Sequence, residues 1–324
     1  MFKPPRLQWV AFASSLLLFT AILYLLSRKQ GLDAVIDVFR RTDTIPFCIA
    51  VVLMLLVQAV SAYRVKIITA AEALHSIGYQ SLFRIQLISQ FIAYGAPISA
   101  LSDLAKAAMI KLRFSLPVGQ SIRIVLYERI CGALGAVAVG VLATIGQLAI
   151  STPRSLVEIQ FAVWAVGILV GAAILAISGL NLTSGIGLVD RAARAVTTLA
   201  AILRHPTVAS QLLLVSMLQL IGFATVFLFL AQGMHIPASR LHVALFTPFI
   251  FLISSLPIFY QGWGGREAVI ILTIGGMGNV TSAQSVALSV AFGVVVALSS
   301  LPGALFWMMR PSMRKSVRLE VGHT

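Results

Sequence analysis

An all-α, polytopic membrane protein follows from three features of this chain. Of its 324 residues, 59% are apolar and only 10% are charged, whereas an ordinary soluble domain carries roughly 25% charge and could not cover so oily a composition with polar groups. Runs without Asp, Glu, Lys or Arg extend from Leu7 to Ser27, Thr44 to Tyr63, Ile85 to Ser102, Ile130 to Pro153, Ile159 to Val189, Pro206 to Ser239, Leu241 to Gly265 and Ala268 to Met309. About 20 residues of helix at roughly 1.5 Å each cross a bilayer core, so most of these runs suffice for one span. None alternates with period two as a barrel strand does, and lipid offers bare backbone no hydrogen bonds, which leaves helices.

The first run follows Lys3 and Arg6 as a secretory signal would. It is long for that role and leads into Ser27-Arg28-Lys29 rather than a small-residue cleavage site, so it reads as a retained anchor near 7–27. Further spans are expected near 44–63, 124–149, 157–179, 207–231 and 284–309. The last run is too long for one crossing, and Gly275-Gly276-Met277-Gly278-Asn279 is its natural break, with the final helix starting near Ser282. The chain reads as one integral membrane domain with halves at 1–180 and 207–310 and a basic tail at 311–324. Between the halves, Leu188, Ala192, Val196, Leu199 and Leu203 share one helical arc while Asp190, Arg191, Arg194 and Arg204 fall elsewhere. Segment 181–206 is therefore expected to be an amphipathic linker lying in the interface.

Two runs read differently. Ile85–Ser102 ends in Gly95-Ala96-Pro97-Ile98-Ser99, after which Asp103 and Lys106 appear and the chain turns apolar through Ile110. Leu241–Gly265 ends in Pro257-Ile258-Phe259-Tyr260-Gln261-Gly262-Trp263-Gly264-Gly265, followed by Arg266, Glu267 and a short apolar stretch. In both, a Pro-Ile pair opens a polar or Gly-rich turn, an acid and a base follow, and the exit helix has too few apolar residues to cross. Re-entrant hairpins are expected near 81–113 and 241–279, giving about six spans, or eight crossings if the hairpins pass through. With both termini cytoplasmic in an inner cell membrane, the bases divide 16 inside to 6 outside, leaving Arg129 and Arg266 at membrane depth. Hairpin one then enters from the cytoplasm and hairpin two from outside, which raises the expectation of an inverted repeat.

The +14 net charge suits a protein held among anionic headgroups. The bases are scattered between oily runs rather than set in stripes, so nucleic acid is excluded as a partner. Cys48 and Cys131 stand alone in apolar stretches, and no His pattern suits a metal, so no disulfide, metal or other cofactor is expected.

Charges that interrupt oily sequence carry the functional reading: Asp103 with Lys106, Glu128 with Arg129, and Arg266 with Glu267. An intramembrane charge costs at least ~2.5 kcal/mol on insertion scales, so it faces a partner or a watery cavity. One reading is a hydrophilic groove in which Arg266, Arg129 and Lys106 hold a lipid phosphate, the acids orient them, and the Gly262–Gly265 tip offers free N–H groups. The bland alternative has Asp103 and Lys106, three apart on one helix, neutralising each other near the headgroups. Glu128 and Arg129 are adjacent and point to different faces, so each needs its own partner unless both sit at headgroup level. Arg64 and Lys66 follow a span end and read as snorkelling anchors. No nucleotide-hydrolysing or nucleophile-elbow motif is present.

The segment Ser89–Gly135, with Pro97, Asp103, Lys106 and Tyr127-Glu128-Arg129-Ile130-Cys131-Gly132, resembles the lysylphosphatidylglycerol synthase transmembrane-region family, the flippase-like integral membrane proteins. Leu256-Pro257-Ile258 through Gly262-Trp263-Gly264-Gly265-Arg266-Glu267-Ala268 is similar to that family's Gly-rich turn. One departure is Leu101-Ser102-Asp103, where members commonly carry Gly-Gly-Asp. The resemblance implies lipid translocation by a stand-alone, non-enzymatic member without the soluble aminoacyltransferase domain, acting on anionic, aminoacylated, polyprenyl-linked or hopanoid-type lipids. The competing expectations are a lipid-modifying enzyme using Asp103 or Glu128 as general base, and a scaffold for lipid-synthesis enzymes.

Overall fold

The computed structural model describes residues 31–73, 78–95, 99–150, 152–177, 197–256, 259 and 262–309. The anchor expected near 7–27, residues Pro97, Pro257 and Tyr260, most of the linker and the basic tail lie outside the described residues. In chain order the helices are α1 Gly31–Arg40, α2 Thr44–Ala73, α3 Tyr79–Gly95, α4 Ser99–Phe114, α5 Val118–Leu148, α6 Arg154–Ile177, α7 at 197–204, α8 Pro206–Gly233, α9 Arg240–Ser254, α10 Gly265–Leu272 and α11 Ser282–Met308. All regular structure among the described residues is helical.

Four helices, α2, α5, α8 and α11, are long and apolar enough to cross a membrane. The 24-residue α6 covers the expected span at 157–179 as far as Ile177, where that stretch of described residues ends. Local chemistry sets several ends. Pro206 opens α8, where its missing N–H costs nothing. The Gly-rich break before α11 becomes a 3-10 turn at Gly275–Met277, closed by Gly278 at φ 82°. Thr281 then caps α11: its hydroxyl accepts from the Gln284 N–H at 3.2 Å, and its own N–H donates to the Gln284 side chain at 2.9 Å.

Helices α2 and α8 run antiparallel along their whole length. At one end the Asp43 N–H donates to the Gly233 carbonyl at 2.8 Å. In the middle Gly222 leaves room for Val57, and at the other end Ala71 and Val208 line one groove. In lipid, helix association rests on such close packing at small residues rather than on a hydrophobic force.

The rest of the packing repeats about this pair. Helix α3 packs on α11 as α9 packs on α5; α4 lies between α3 and α5 as α10 lies between α9 and α11; and α2 meets α11 as α8 meets α5. Exchanging α2–α5 with α8–α11 maps each contact onto another, so the two units form an inverted repeat whose leading helices are antiparallel. Side chains complete two apolar cores, one around Met54, Phe227, Phe246 and Leu288 and one around Ile68, Leu82, Ile110 and Ile124. Exposed leucines such as Leu142, Leu148, Leu169 and Leu214 face outward, as suits a lipid-bathed surface.

Register sets the depth of both hairpins. The Arg84 guanidinium sits 5.5 Å over the Phe306 ring, and Gly303 packs directly on the Leu87 carbonyl, where any Cβ would collide. Continued antiparallel at helical rise, this register brings Gly95 level with the middle of α11. On the opposite face, Gln147 Nε2 donates to the Leu245 carbonyl at 3.3 Å, and Trp164, bonded to Thr144, stacks edge-on against Phe249. That register brings Ser254 to the middle of α5. Each hairpin therefore turns back about halfway along the spanning helix beside it, one from each face.

Candidate functional site

Apart from Glu72, whose carboxylate binds Arg123, the buried charges among the described residues form two stations, one per unit. The first joins α2, α3, α4, α5 and α8. Lys106 Nζ donates to Glu128 Oε2 and to Gln86 Oε1, each at 2.5 Å. Gln86 in turn donates to Gln58 at 2.9 Å, and the Ser61 hydroxyl donates to Glu128 Oε1 at 3.2 Å. Arg64 completes the group: Nη1 donates to Gln219 Oε1 at 2.5 Å, while Nη2 stands 4.0 Å from Glu128 Oε1. Arg64, Lys106 and Glu128 are 5%, 5% and 7% exposed. Gly132, one turn beyond Glu128, leaves the space the Arg64 guanidinium fills, since a Cβ there would stand 3.2 Å from Nη1.

Asp103 and Lys106 do not pair with each other. Asp103 instead receives both Nε and Nη2 of Arg129, at 2.7 and 2.9 Å, in a forked pair on the outer side of α4 and α5. Two rungs thus tie α4 to α5, a buried Lys106–Glu128 rung and a half-exposed Asp103–Arg129 rung. Adjacent Glu128 and Arg129 serve opposite faces of one helix, which is why each has its own partner. Arg64 is no snorkelling anchor: α2 continues to Ala73, and its arginine turns inward to the junction with α5 and α8. Lys66 does fit that role, lying 5.6 Å from the Tyr63 ring beside an open groove of about 350 Å³.

The second station is the tip of hairpin two. Gly262 and Gly264 adopt φ 78° and 83°, conformations that side chains resist, and this lets α10 begin at Gly265 with its first charges buried. The Glu267 carboxylate caps the helix by accepting the Gly264 N–H at 2.6 Å, and accepts the Ser289 hydroxyl at 2.7 Å. Arg266 Nε donates to Ser289 Oγ at 2.8 Å, and its guanidinium lies 5.1 Å from the Trp263 ring and 5.2 Å from the Phe292 ring. Arg266 Nη2, 3.5 Å from Glu267 Oε1, is buried without a hydrogen-bond partner. Gly293, four residues after Ser289, makes room for it.

The stations are counterparts. Lys106 and Arg266 each lie on an exit helix, nine residues after a Pro-Ile pair. Each bonds to the span that follows, at Glu128 and Ser289, and each of those residues has a glycine four positions later that accommodates an arginine. Both stations sit roughly 10–15 Å from the N-terminal end of a span, and those two ends lie at opposite faces. Of the expected tip residues, Gly95 ends α3, while Gly262, Gly264 and Gly265 form the second turn. Sequence reasoning missed Arg64, Ser61, Gln58, Gln86, Gln219 and Ser289. The available signal was polar residues within oily runs, with Gln58, Ser61 and Arg64 three apart on one helical face.

A family model described as the lysylphosphatidylglycerol synthase TM region matches residues 11–303. The chain belongs to that family. No curated protein matches it.

Proposed function

We propose that this member of the lysylphosphatidylglycerol synthase TM region family translocates a polar-headgroup lipid, without chemical change, between the leaflets of the cytoplasmic membrane. Family membership supports a lipid-related role in a membrane. The translocation reading rests above all on one observation: ionised groups held by hydrogen bonds and ion pairs are built into half-depth hairpins from both faces, at a depth where charge is costly and has little purpose unless something polar passes. In this reading a headgroup leaves one interface, meets the Lys106–Glu128–Arg64 station, and passes to the Arg266–Glu267 tip while its tails remain in lipid. The excess of basic residues on one side favours cytoplasmic termini. The direction of net flux follows the lipid gradient unless an ion is coupled.

A lipid-modifying enzyme with Asp103 or Glu128 as general base finds less support. Asp103 is held in a forked pair by Arg129, and both Glu128 oxygens are engaged, so neither offers a free carboxylate to a substrate proton. The test is headgroup movement in reconstituted vesicles. Lys106→Ala and Arg266→Ala proteins that retain helical signal are expected to move lipid much more slowly. Normal movement by both would overturn the reading.

A further inference from the structure

The first station carries an unbalanced charge. Arg64 and Lys106 bring two positive charges to one carboxylate, Glu128, and all three side chains are more than nine-tenths buried. The remaining members, Gln58, Ser61, Gln86 and Gln219, are neutral. The nearest other charges, Asp103 and Arg129, cancel each other. At the second station Arg266 and Glu267 also cancel. Among the described residues, then, one buried positive charge in the first unit lacks a counter-charge. A second observation points to the same place: the Arg64 Nε–H is buried with no hydrogen-bond partner. A lone buried cation with an open donor is costly unless an anion completes it.

We propose that the Arg64–Lys106–Glu128 station is a headgroup site that selects lipids carrying one net negative charge, a phosphodiester with an uncharged substituent. The inference rests on the translocation reading and narrows its substrate. One monoanion makes the station neutral. A zwitterionic headgroup leaves the excess charge in place, a cationic aminoacylated headgroup adds to it, and a dianionic phosphomonoester overshoots. Arg64 supplies the open donor. The half-exposed Asp103–Arg129 pair lies beside the station on the α4–α5 face and gives a polar approach from the side, so the headgroup need not pass through the apolar core. Unit two, with its charges already balanced, passes the headgroup on without holding it.

The experiment compares fluorescent acyl-labelled phosphatidylglycerol, phosphatidylcholine and lysylphosphatidylglycerol in vesicles holding the full chain. Movement is read by quenching the outer-leaflet label. Wild-type protein is expected to move phosphatidylglycerol roughly tenfold faster than either other probe, a preference of about 1.4 kcal/mol. Lys106→Gln brings the station to net zero and is expected to erase that preference. The double variant Lys106→Gln/Glu128→Gln restores a net charge of +1 through Arg64 and is expected to regain the preference even at a reduced rate. Equal wild-type rates for all three probes would overturn the charge-selection inference and leave translocation standing. So would an unchanged preference in Lys106→Gln. Absence of movement for every probe would instead remove translocation itself. The wild-type comparison decides the matter even if a variant fails to fold.

Discussion

Replacing Glu128 by Gln removes the acid that faces two buried bases, and its cost can be worked from the geometry. At the 4.0 Å separation from Arg64, a unit charge pair at an effective dielectric near 20 is worth about 4 kcal/mol, and the Lys106 contact is closer. Solvent does not screen these groups, which are less than a tenth exposed. Removing one partner of such a buried pair typically costs about 3–5 kcal/mol, because the other partner stays charged and unpaired. Against a total stability of about 5–15 kcal/mol, that is a large share. The assay is thermal and denaturant unfolding of the detergent-solubilised protein followed by tryptophan fluorescence. Glu128→Gln should melt well below wild type. The double change Lys106→Met/Glu128→Leu should recover most of the loss by returning the station to its original net charge. A single variant as stable as wild type would refute the claim that these charges are buried and mutually compensating.

Other consequences follow from the same packing. Asp103→Asn should cost under about 1 kcal/mol of stability, because its pair is substantially exposed, yet it should slow lipid movement by dismantling the polar approach beside the station. Gly303→Val should lower the melting point sharply, since a side chain would drive α11 off the Leu87 backbone; the overpacking cost is about 1–3 kcal/mol or more. Gly264→Ala, forced to φ 83°, should destabilise by roughly 1–2 kcal/mol and loosen the tip, seen as faster proteolysis near residue 264. Ser289→Ala removes the hydroxyl shared by Arg266 and Glu267 and should cost about 1–3 kcal/mol, measurable by the same unfolding assay.

The helical membrane class, the starts of α2 at Thr44 and α11 at Ser282, and both hairpins were legible in the sequence, because each is written in local chemistry: run length, a capping residue, a glycine-rich break. The reach of α2 was not. Arg64 and Lys66 look alike in sequence as charges ending an oily run, but only Lys66 meets the surface, whereas Arg64 is drawn inward by Glu128 and Gln219 from helices 60 or more residues away in the chain. Asp103 and Lys106 showed the same limit. Their spacing permits a local pair, and only the arrival of α5 alongside decides that each binds a separate residue of that helix. Arg266, read as a base that holds phosphate while an acid orients it, closes on Glu267 through Ser289, a residue with no charge to draw attention to it. Long-range pairing is set by the repeat, and the repeat is carried by helix packing more than by sequence echo.

The central claim is that the chain dips into the bilayer from each face and turns back at mid-depth, bringing buried charge with it. Single cysteines at Ser99 and Leu256, in a chain whose Cys48 and Cys131 are replaced by alanine, place the two tips directly. With membrane-impermeant thiol reagents applied from one side at a time, Ser99→Cys should react only from the side on which α2 ends, and Leu256→Cys only from the opposite side, both slowly. Fast labelling of either from the far side would mean that the hairpins are full crossings, and would contradict the account.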